Sequence, residues 1–290
     1  ELDQALNSGL RHGVMPSGAF SDAEALLDYA RQRFKRRAVA LVDVLLPRLR
    51  DRSSCDTCRE LLRSTFWKQE PLNQQEHQMR IASIGGGPGA DYMACLHISA
   101  VLSAVVAAEC AAPSVQCVVL DNEAAWQECI SRVAHGAMHR YPDIAAGLSL
   151  DFGDLTASIT APANAAMHEA VSTSHLVTLC YVVHENAAAL LRDAEESEAV
   201  PLLGGSLPGI FSSMQPGAML VALDASGRLW PALLHTAERA APSEWKGYAF
   251  HDHCHQNCVV LRRLGSGEVA EQPLHVQLED ACATWTSHFR

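Results

Sequence analysis

The chain has 290 residues, of which 48% are hydrophobic and 19% are charged, and its formal net charge is −11 at pH 7. This length fits one α/β domain of roughly 200 residues with a smaller element attached, and the negative charge argues against a protein wrapped in nucleic acid. The charge is uneven, because residues 1–70 carry 12 Lys and Arg against 10 Asp and Glu, whereas the remainder carries 10 against 23.

The ten cysteines lie mostly in apolar runs, such as Cys117 in VQCVVL and Cys180 in VTLCYVV. Thiols in such runs are typical of a reduced core and not of a disulfide framework. We therefore expect an intracellular protein, in the cytosol, the nucleus or an organelle. The chain opens at Glu1 and not at a methionine, so whether a native start and a targeting peptide precede it stays open.

The segment before the first strand is predicted to be helical. Ser21 and Glu24 have the spacing of a capping box, and apolar residues then recur at helical intervals. A second apolar run, AVALVDVLLPRL, ends near Pro47, and a third, CRELLRSTFW, precedes the polar connector KQEPLNQQEHQMR. We therefore predict a helical lid or substrate platform over residues 1–76 and a second domain over residues 77–290.

Beyond this point, short β-rich runs alternate with segments long enough for helices. The runs are RIASI (80–84), VQCVVL (115–120), GLSLDF (147–152), HLVTLCYVV (175–183) and AMLVAL (218–223). Such alternation predicts an α/β fold with a doubly wound, mostly parallel sheet. Two further runs, WKGYAFH and NCVVLRRL, are joined by a short polar loop and predict a closing hairpin, which gives a seven-stranded sheet with an antiparallel last strand.

Residues 93–112 reach the length of a membrane span. They consist mainly of Ala, Ser and Val around His97 and Glu109, with little Leu, Ile or Phe to drive insertion. We therefore predict a helix buried against the sheet and no contact with a membrane.

The first strand runs into a glycine-rich turn in RIASIGGGPGAD, residues 80–91. A turn of this kind, placed between a strand and a helix, lets the backbone approach a ligand closely. Gly85, Gly87 and Ala90 match the dinucleotide fingerprint, although this match alone is not specific. No Walker lysine follows, which excludes a nucleotide triphosphate loop.

Carboxylates follow the next two strands. Asp121 closes the second strand and Asp154 follows the third. A carboxylate at the first of these positions can accept both hydroxyls of a ribose, and one at the second can accept the exocyclic amine of adenine. The ligand expected from this pattern is a nucleoside.

Together these motifs resemble the class I S-adenosylmethionine-dependent methyltransferases, over roughly residues 78–265. The resemblance implies an enzyme whose cofactor is S-adenosyl-L-methionine. It implies that the glycine turn lines the methionine part of the cofactor, that the strand-end acids hold the ribose and the adenine, and that LCYVVHEN faces the departing methyl group. The residues implicated in cofactor binding are Ser83, Gly85, Gly86, Gly87, Pro88, Gly89, Asp91, Asp121, Asn122, Asp154, Leu155, Cys180 and Tyr181.

The sequence departs from the family pattern at two points. The family usually has Asp or Glu two residues before the first glycine, to contact the amino end of the cofactor, and this chain has Ser83 there. We expect Asp91, just beyond the turn, to compensate. Gly85 and Asp121 are also 36 positions apart, against about 20 in the fingerprint, which implies a long first helix and equally disfavours a nicotinamide enzyme. Ser83 also leaves a second hypothesis open, a methyltransferase-like binding or assembly factor without activity.

His184 and Glu185 are the predicted catalytic residues, because they follow the fourth strand, where a base could deprotonate an acceptor. The alternative is that one of them caps the next helix.

The sequence leaves two hypotheses open for the methyl acceptor. RNA is favoured by the basic run RQRFKRR at residues 31–37, and by a resemblance of GGGPGxD to the subgroup that contains fungal uridine-N3 methyltransferases of ribosomal RNA. The alternatives are a solvated helix face and a small-metabolite acceptor.

Two groups of residues have spacings that zinc sites use. Cys55 and Cys58 form one group, and the other contains His251, His253, Cys254, His255 and Cys258. Neither group is a complete tetrahedral site, and the first pair lies one turn apart in a plausible helix, where ordinary packing explains it. We therefore predict no metal site.

Overall fold

A computed structural model describes residues 23–50, 78–106, 114–191, 200–224, 226–251 and 257–287. The predicted third helical run and the connector that follows it lie outside these ranges, as does Ser21 of the predicted capping box. Within the described ranges, one sheet has seven strands in the order β3-β2-β1-β4-β5-β7-β6. The strands are β1 Gln78–Ile84, β2 Ser114–Asp121, β3 Ala146–Phe152, β4 Leu176–Cys180, β5 Met219–Asp224, β6 Trp245–His251 and β7 Asn257–Arg263.

The first five strands are parallel to one another, whereas β7 runs antiparallel to both β5 and β6. The predicted fold class, a doubly wound and mostly parallel sheet with an antiparallel last strand, is therefore confirmed. Every residue of β4 and of β5 is buried, as expected for central strands with helices on both faces.

Helices cover both faces of the sheet. The helices of the described chain are α1 Ala23–Arg50, α2 Ala90–Val106, α3 Gln127–Arg140, α4 Ala165–Thr173, α5 Val182–Glu185, α6 Ala187–Leu190, α7 Leu207–Ser213, α8 Trp230–Ala240, α9 Leu274–Gln277 and α10 Glu279–Ser287. Side chains of α1, α2 and α3 form one hydrophobic cluster with the sheet, and those of α4, α7 and α8 form a second. Alternate strand residues supply the two clusters, as the period of a strand requires.

The N-terminal helix α1 is continuous through Pro47, where the sequence predicts the end of an apolar run. Proline removes the hydrogen bond to the carbonyl four residues earlier. That carbonyl belongs to Asp43, and both residues are exposed, so water can replace the missing donor. Leu41 and Leu45 are fully buried in the same cluster as β1 and β2, so α1 packs as part of the core. The predicted boundary near residue 76 stays a prediction.

The fourth strand is shorter than predicted. It ends at Cys180, Tyr181 takes a left-handed φ of 65°, and α5 begins at Val182. Val182 and Val183 are buried, so their apolar character fits a strand or a buried helical turn equally well. The predicted long helix after the glycine turn is α2, and no helix in the described part of the chain is long and apolar enough to cross a membrane.

Candidate active site

The glycine turn lies at the carboxyl end of β1, between the ends of β2 and β4. Because the chain order reverses direction on either side of β1, this edge is the switch point where open α/β sheets bind their ligands. The Gly85 amide donates a 2.8 Å hydrogen bond to the Leu120 carbonyl at the end of β2. The turn is thereby fixed to the strand that carries the predicted ribose acid.

Two glycines of the turn are required by geometry. Gly85 has a φ of +60°, and a Cβ added there would lie 2.3 Å from Cγ2 of Val182. The turn and the segment after β4 are therefore in direct contact. Gly87 has a φ of +50°, and its added Cβ would lie 3.5 Å from the Trp126 ring. Since side chains are disfavoured at both positions, the turn presents bare backbone to its surroundings.

Asp121 is hydrogen-bonded to the same turn. Its Oδ2 accepts from the Gly87 amide at 3.1 Å, and its Oδ1 accepts from the Glu123 amide at 3.0 Å. Burial raises the pKa of Asp121 to about 6, although these two amides oppose the shift. The carboxylate is therefore oriented at the carboxyl end of β2 and sensitive to the charge of its surroundings.

A carboxyl group from the next helix lies beside Ser83. Asp91, in the first turn of α2, accepts hydrogen bonds from the Ser83 hydroxyl at 2.9 Å and from the Thr178 hydroxyl of β4 at 2.6 Å. Asp91 is only 2% exposed, and burial raises its pKa, against the effect of hydrogen bonds from Thr178, Ser83 and Cys180. A carboxyl group therefore lies beside Ser83, as expected if Asp91 compensates for the substitution.

The segment after β3 is held by a buried asparagine that the sequence analysis did not single out. The Asn164 side chain accepts from the Asp154 amide at 2.9 Å and donates to the Asp154 carbonyl at 3.0 Å. Oδ1 of Asp154 accepts from the amide and the hydroxyl of Thr156. The neighbouring Leu155 is buried. Because the Gly153 amide donates to the Asp121 carbonyl at 3.2 Å, this segment lies next to the end of β2.

The segment after β4 is paired with the N-terminal helix. Nη2 of Arg37 donates to Oε1 of Glu185 at 2.7 Å, and the two side chains are 13% and 17% exposed. The Arg37 guanidinium also lies 4.8 Å from the Tyr181 ring centroid and 5.4 Å from that of Tyr29. The basic run RQRFKRR predicts Arg37 as part of a basic surface, and the structure instead places it inside the candidate site. It also shows that Glu185 is ion-paired and not an unpaired base.

His184 differs from its neighbour. Its backbone amide donates to Oδ2 of Asp224 at 3.3 Å. Its Nδ1 is buried and has no hydrogen-bond partner among the residues that the structure describes. Neither His184 nor Glu185 makes a side-chain capping bond to the short helices around them. Of the two predicted catalytic residues, Glu185 is therefore paired with Arg37, whereas His184 keeps a ring nitrogen that can accept a ligand hydrogen bond.

Tyr29 extends the cover provided by α1 over the glycine turn. Its ring centroid lies 6.0 Å from that of Trp126, at an interplanar angle of 51°, and Trp126 in turn packs over Gly87. Both rings are buried. The helix α1 thus covers the ends of β1 and β2 through Tyr29, and the end of β4 through Arg37.

The candidate zinc residues fall largely outside the described ranges, including Cys55, Cys58 and residues 252–256. Cys258, at the start of β7, is fully buried in the hydrophobic cluster. Over the ranges that the structure covers, no group of three or more His, Cys, Asp or Glu side chains is arranged to hold a metal ion.

A glycine turn at the switch point, a carboxylate at the end of the next strand and an antiparallel closing strand define a Rossmann-like methyltransferase fold. A family model described as "Putative SAM-dependent methyltransferase" matches residues 17–245, so the chain belongs to that family of S-adenosylmethionine-dependent enzymes. The bare glycine turn and the carboxylates of Asp121 and Asp91 fit this cofactor.

Solved structures of methyltransferases resemble the chain at low sequence identity. The apo form of the S-adenosylmethionine-dependent methyltransferase SibL is 12% identical, over 83% of this chain and 74% of that one, with a TM-score of 0.36. A methyltransferase from Pyrococcus furiosus is 9% identical, over 73% of this chain and 84% of that one, also with a TM-score of 0.36. Precorrin-6y C5,15-methyltransferase from Geobacter metallireducens GS-15 is 7% identical, over 66% of this chain and 83% of that one, with a TM-score of 0.35. No curated protein matches the chain.

Proposed function

We propose that the protein transfers a methyl group from S-adenosylmethionine to RNA, which enters along α1. The cations along the turns of α1 that precede Arg37 support this proposal. Arg31, Lys35 and Arg36 are exposed, and Arg33 is half-buried. A run of cations beside the site can follow a phosphate backbone, and Arg37 continues the run into the site itself.

The cofactor is assigned to the carboxyl ends of β1, β2, β3 and β4. The glycine turn holds the methionine part, and Asp91 beside Ser83 accepts hydrogen bonds from its amino group. Asp121 with Asn122 accepts the ribose hydroxyls, while Asp154 and Leu155 hold the adenine. Cys180 and Tyr181 would face the transferable methyl group. When bound, the cofactor supplies an electrophilic methyl group on a sulfonium ion.

His184 is the proposed base for an acceptor that must lose a proton. Its partnerless Nδ1 lies in the segment after β4, and Glu185 beside it is neutralised by Arg37. The imide N3 of a uridine is such an acceptor, and the resemblance to ribosomal RNA uridine-N3 methyltransferases favours it. Positioning and proton removal are the two contributions that methyl transfer needs from the protein.

A small-metabolite acceptor is the second candidate. The net charge of −11 discourages nonspecific contact with nucleic acid, and the YVVHEN segment is equally compatible with a small substrate. Incubation with a methyl-labelled cofactor and a fractionated cell extract separates the two candidates. Label in the RNA fraction is the expected result, and label confined to small molecules would contradict the RNA proposal.

The path of the RNA is tested with a triple variant, Arg33→Gln, Lys35→Gln and Arg36→Gln, which leaves Arg37 in place. We expect RNA binding to weaken and its salt dependence to become shallower by about 0.7 in log–log slope for each phosphate that the variant no longer neutralises. The affinity for S-adenosylhomocysteine should not change. The matched control replaces Arg132, Arg140 and Arg239, which are exposed elsewhere, and carries the same change in net charge. If both triple variants lose RNA affinity equally, the binding does not involve α1.

A further inference from the structure

Arg37 is a partly buried cation with unused hydrogen-bonding capacity. A guanidinium has five N–H donors, and within the described residues only Nη2 of Arg37 has a hydrogen-bond partner, Glu185. The side chain is 13% exposed, so the remaining donors have limited access to water. Buried charged groups without full hydrogen bonding are costly, which makes an additional partner at this position favourable.

The location of Arg37 narrows the class of that partner. The guanidinium lies 4.8 Å from the Tyr181 ring, directly after β4, and 5.4 Å from Tyr29, which packs on Trp126 over the glycine turn. It therefore lies beside the segment after β4, on the helix that covers the glycine turn assigned to the methionine part of the cofactor. That part ends in an α-amino acid group with one ammonium and one carboxylate.

The charges near Arg37 match both halves of this group. Asp91, beside the turn, is an acceptor for the ammonium, and the positive charge of Arg37 is close enough to lower the pKa of Asp91. Arg37 supplies donors in the planar fork that binds carboxylates best. An acid and an arginine close enough for their charges to interact are the complement of a zwitterion.

We propose that Arg37 binds the carboxylate of the methionine part of S-adenosylmethionine, so that the N-terminal helix contributes directly to cofactor recognition. The ligand carboxylate occupies donors that Glu185 does not use, and Glu185 keeps the guanidinium in position. This inference rests on the cofactor site of the proposed function.

The test compares S-adenosylmethionine with its decarboxylated form, which keeps the adenosine, the sulfonium and the amine. With the wild-type protein, calorimetry should give a dissociation constant about ten- to a hundredfold lower for the intact cofactor, as expected for charge-assisted hydrogen bonds. Equal affinity for the two ligands would overturn the inference without the use of any variant.

The variant Arg37→Met assigns the effect to this residue. We expect it to weaken binding of the intact cofactor by the same factor and to change binding of the decarboxylated form by no more than about twofold, because the coupling is specific to the carboxylate. Lys35→Met, a loss of charge from the exposed side of the same helix, should leave both affinities unchanged.

A purely structural role for Arg37 gives a different result. If Arg37→Met weakened both ligands equally, the residue would act through the shape of the site, and the inference would be wrong. Arg37→Lys keeps the charge without the fork and should give an intermediate preference for the intact cofactor. If the wild-type protein bound neither ligand, the methyltransferase function itself would fail, an outcome distinct from the loss of the carboxylate preference alone.

Discussion

The Ser83 hydroxyl donates a 2.9 Å hydrogen bond to Oδ2 of Asp91, eight residues further along the chain. The end of β1 and the first turn of α2 thereby place a carboxyl group where the family pattern has an acid on the strand itself. A serine at this point therefore does not leave the site without a carboxyl group, so Ser83 no longer favours a non-catalytic module.

Asp91→Asn tests this relocated acid. We expect a loss of S-adenosylhomocysteine affinity of about tenfold, since one charge-assisted hydrogen bond to the ligand ammonium is removed. The affinity for 5′-methylthioadenosine, which lacks the amino acid part, should not change. Calorimetry with both ligands makes the measurement, and equal losses for the two would point to a disturbed fold. The double variant Ser83→Asp, Asp91→Ser should recover part of the affinity.

Cofactor affinity should depend on pH through Asp121. Its carboxyl group has a pKa of about 6 in the ligand-free protein, and the ribose hydroxyls donate to its ionised form. Affinity should therefore be constant above pH 7 and should fall as the pH drops through 6, by about tenfold per unit well below the pKa. Calorimetric titrations of S-adenosylhomocysteine between pH 5 and 8 measure this. In the control variant Asp121→Asn, the dependence should be nearly flat and the affinity low throughout.

Gly85 and Val182 are expected to be energetically coupled. Gly85→Ala places a Cβ 2.3 Å from Cγ2 of Val182 in a backbone conformation with φ of +60°. We expect a loss of about 2–4 kcal/mol in the free energy of unfolding, from left-handed strain and overpacking together. In a Val182→Ala background the contact with Cγ2 is removed, while the contact of 2.9 Å with Cβ of residue 182 remains, so the same substitution should cost less, by about 1 kcal/mol. Urea denaturation of the four proteins gives the coupling, and an equal cost in both backgrounds would contradict this contact.

The two residues after β4 should respond differently to substitution. His184→Ala should lower kcat by about 10²- to 10⁴-fold, as expected for loss of a general base, with little change in S-adenosylhomocysteine affinity. Glu185→Gln keeps an oxygen acceptor for Arg37 and should retain much more activity. Single-turnover methyl transfer to the labelled extract fraction makes the comparison. If Glu185→Gln were the more damaging change, our assignment of the base would be reversed.

Much of the fold follows from local patterns in the sequence. The five parallel strands were predicted to within two residues at their starts, because apolar runs of strand length are bounded by turns. The end of β4 was wrong by three residues, since Tyr181 adopts a left-handed conformation that its residue type does not indicate. The continuous α1 was missed because the cost of Pro47 depends on whether Asp43 faces water.

The candidate site likewise contains residues that local sequence patterns predict and residues that they do not. The strand-end acids are predictable because parallel strands present their carboxyl ends at one edge of the sheet, so the predicted parallel fold places Asp121 and Asp154 at the same edge. The pair Arg37–Glu185 joins residues 148 positions apart, and no local pattern distinguishes Arg37 from its exposed neighbours. Asn164 is likewise recognised only from its buried contacts, because a single asparagine in a loop carries no signal in the sequence.

The central claim is that a cofactor of the S-adenosylmethionine type binds at the carboxyl ends of β1 and β2 through Asp121. It is tested most directly by titrating S-adenosylhomocysteine into the wild-type protein and into Asp121→Ala in a calorimeter at pH 7.5. We predict saturable one-site binding to the wild type and a loss of most of the affinity in the variant. No binding to the wild type, or binding of NAD in its place, would contradict the account.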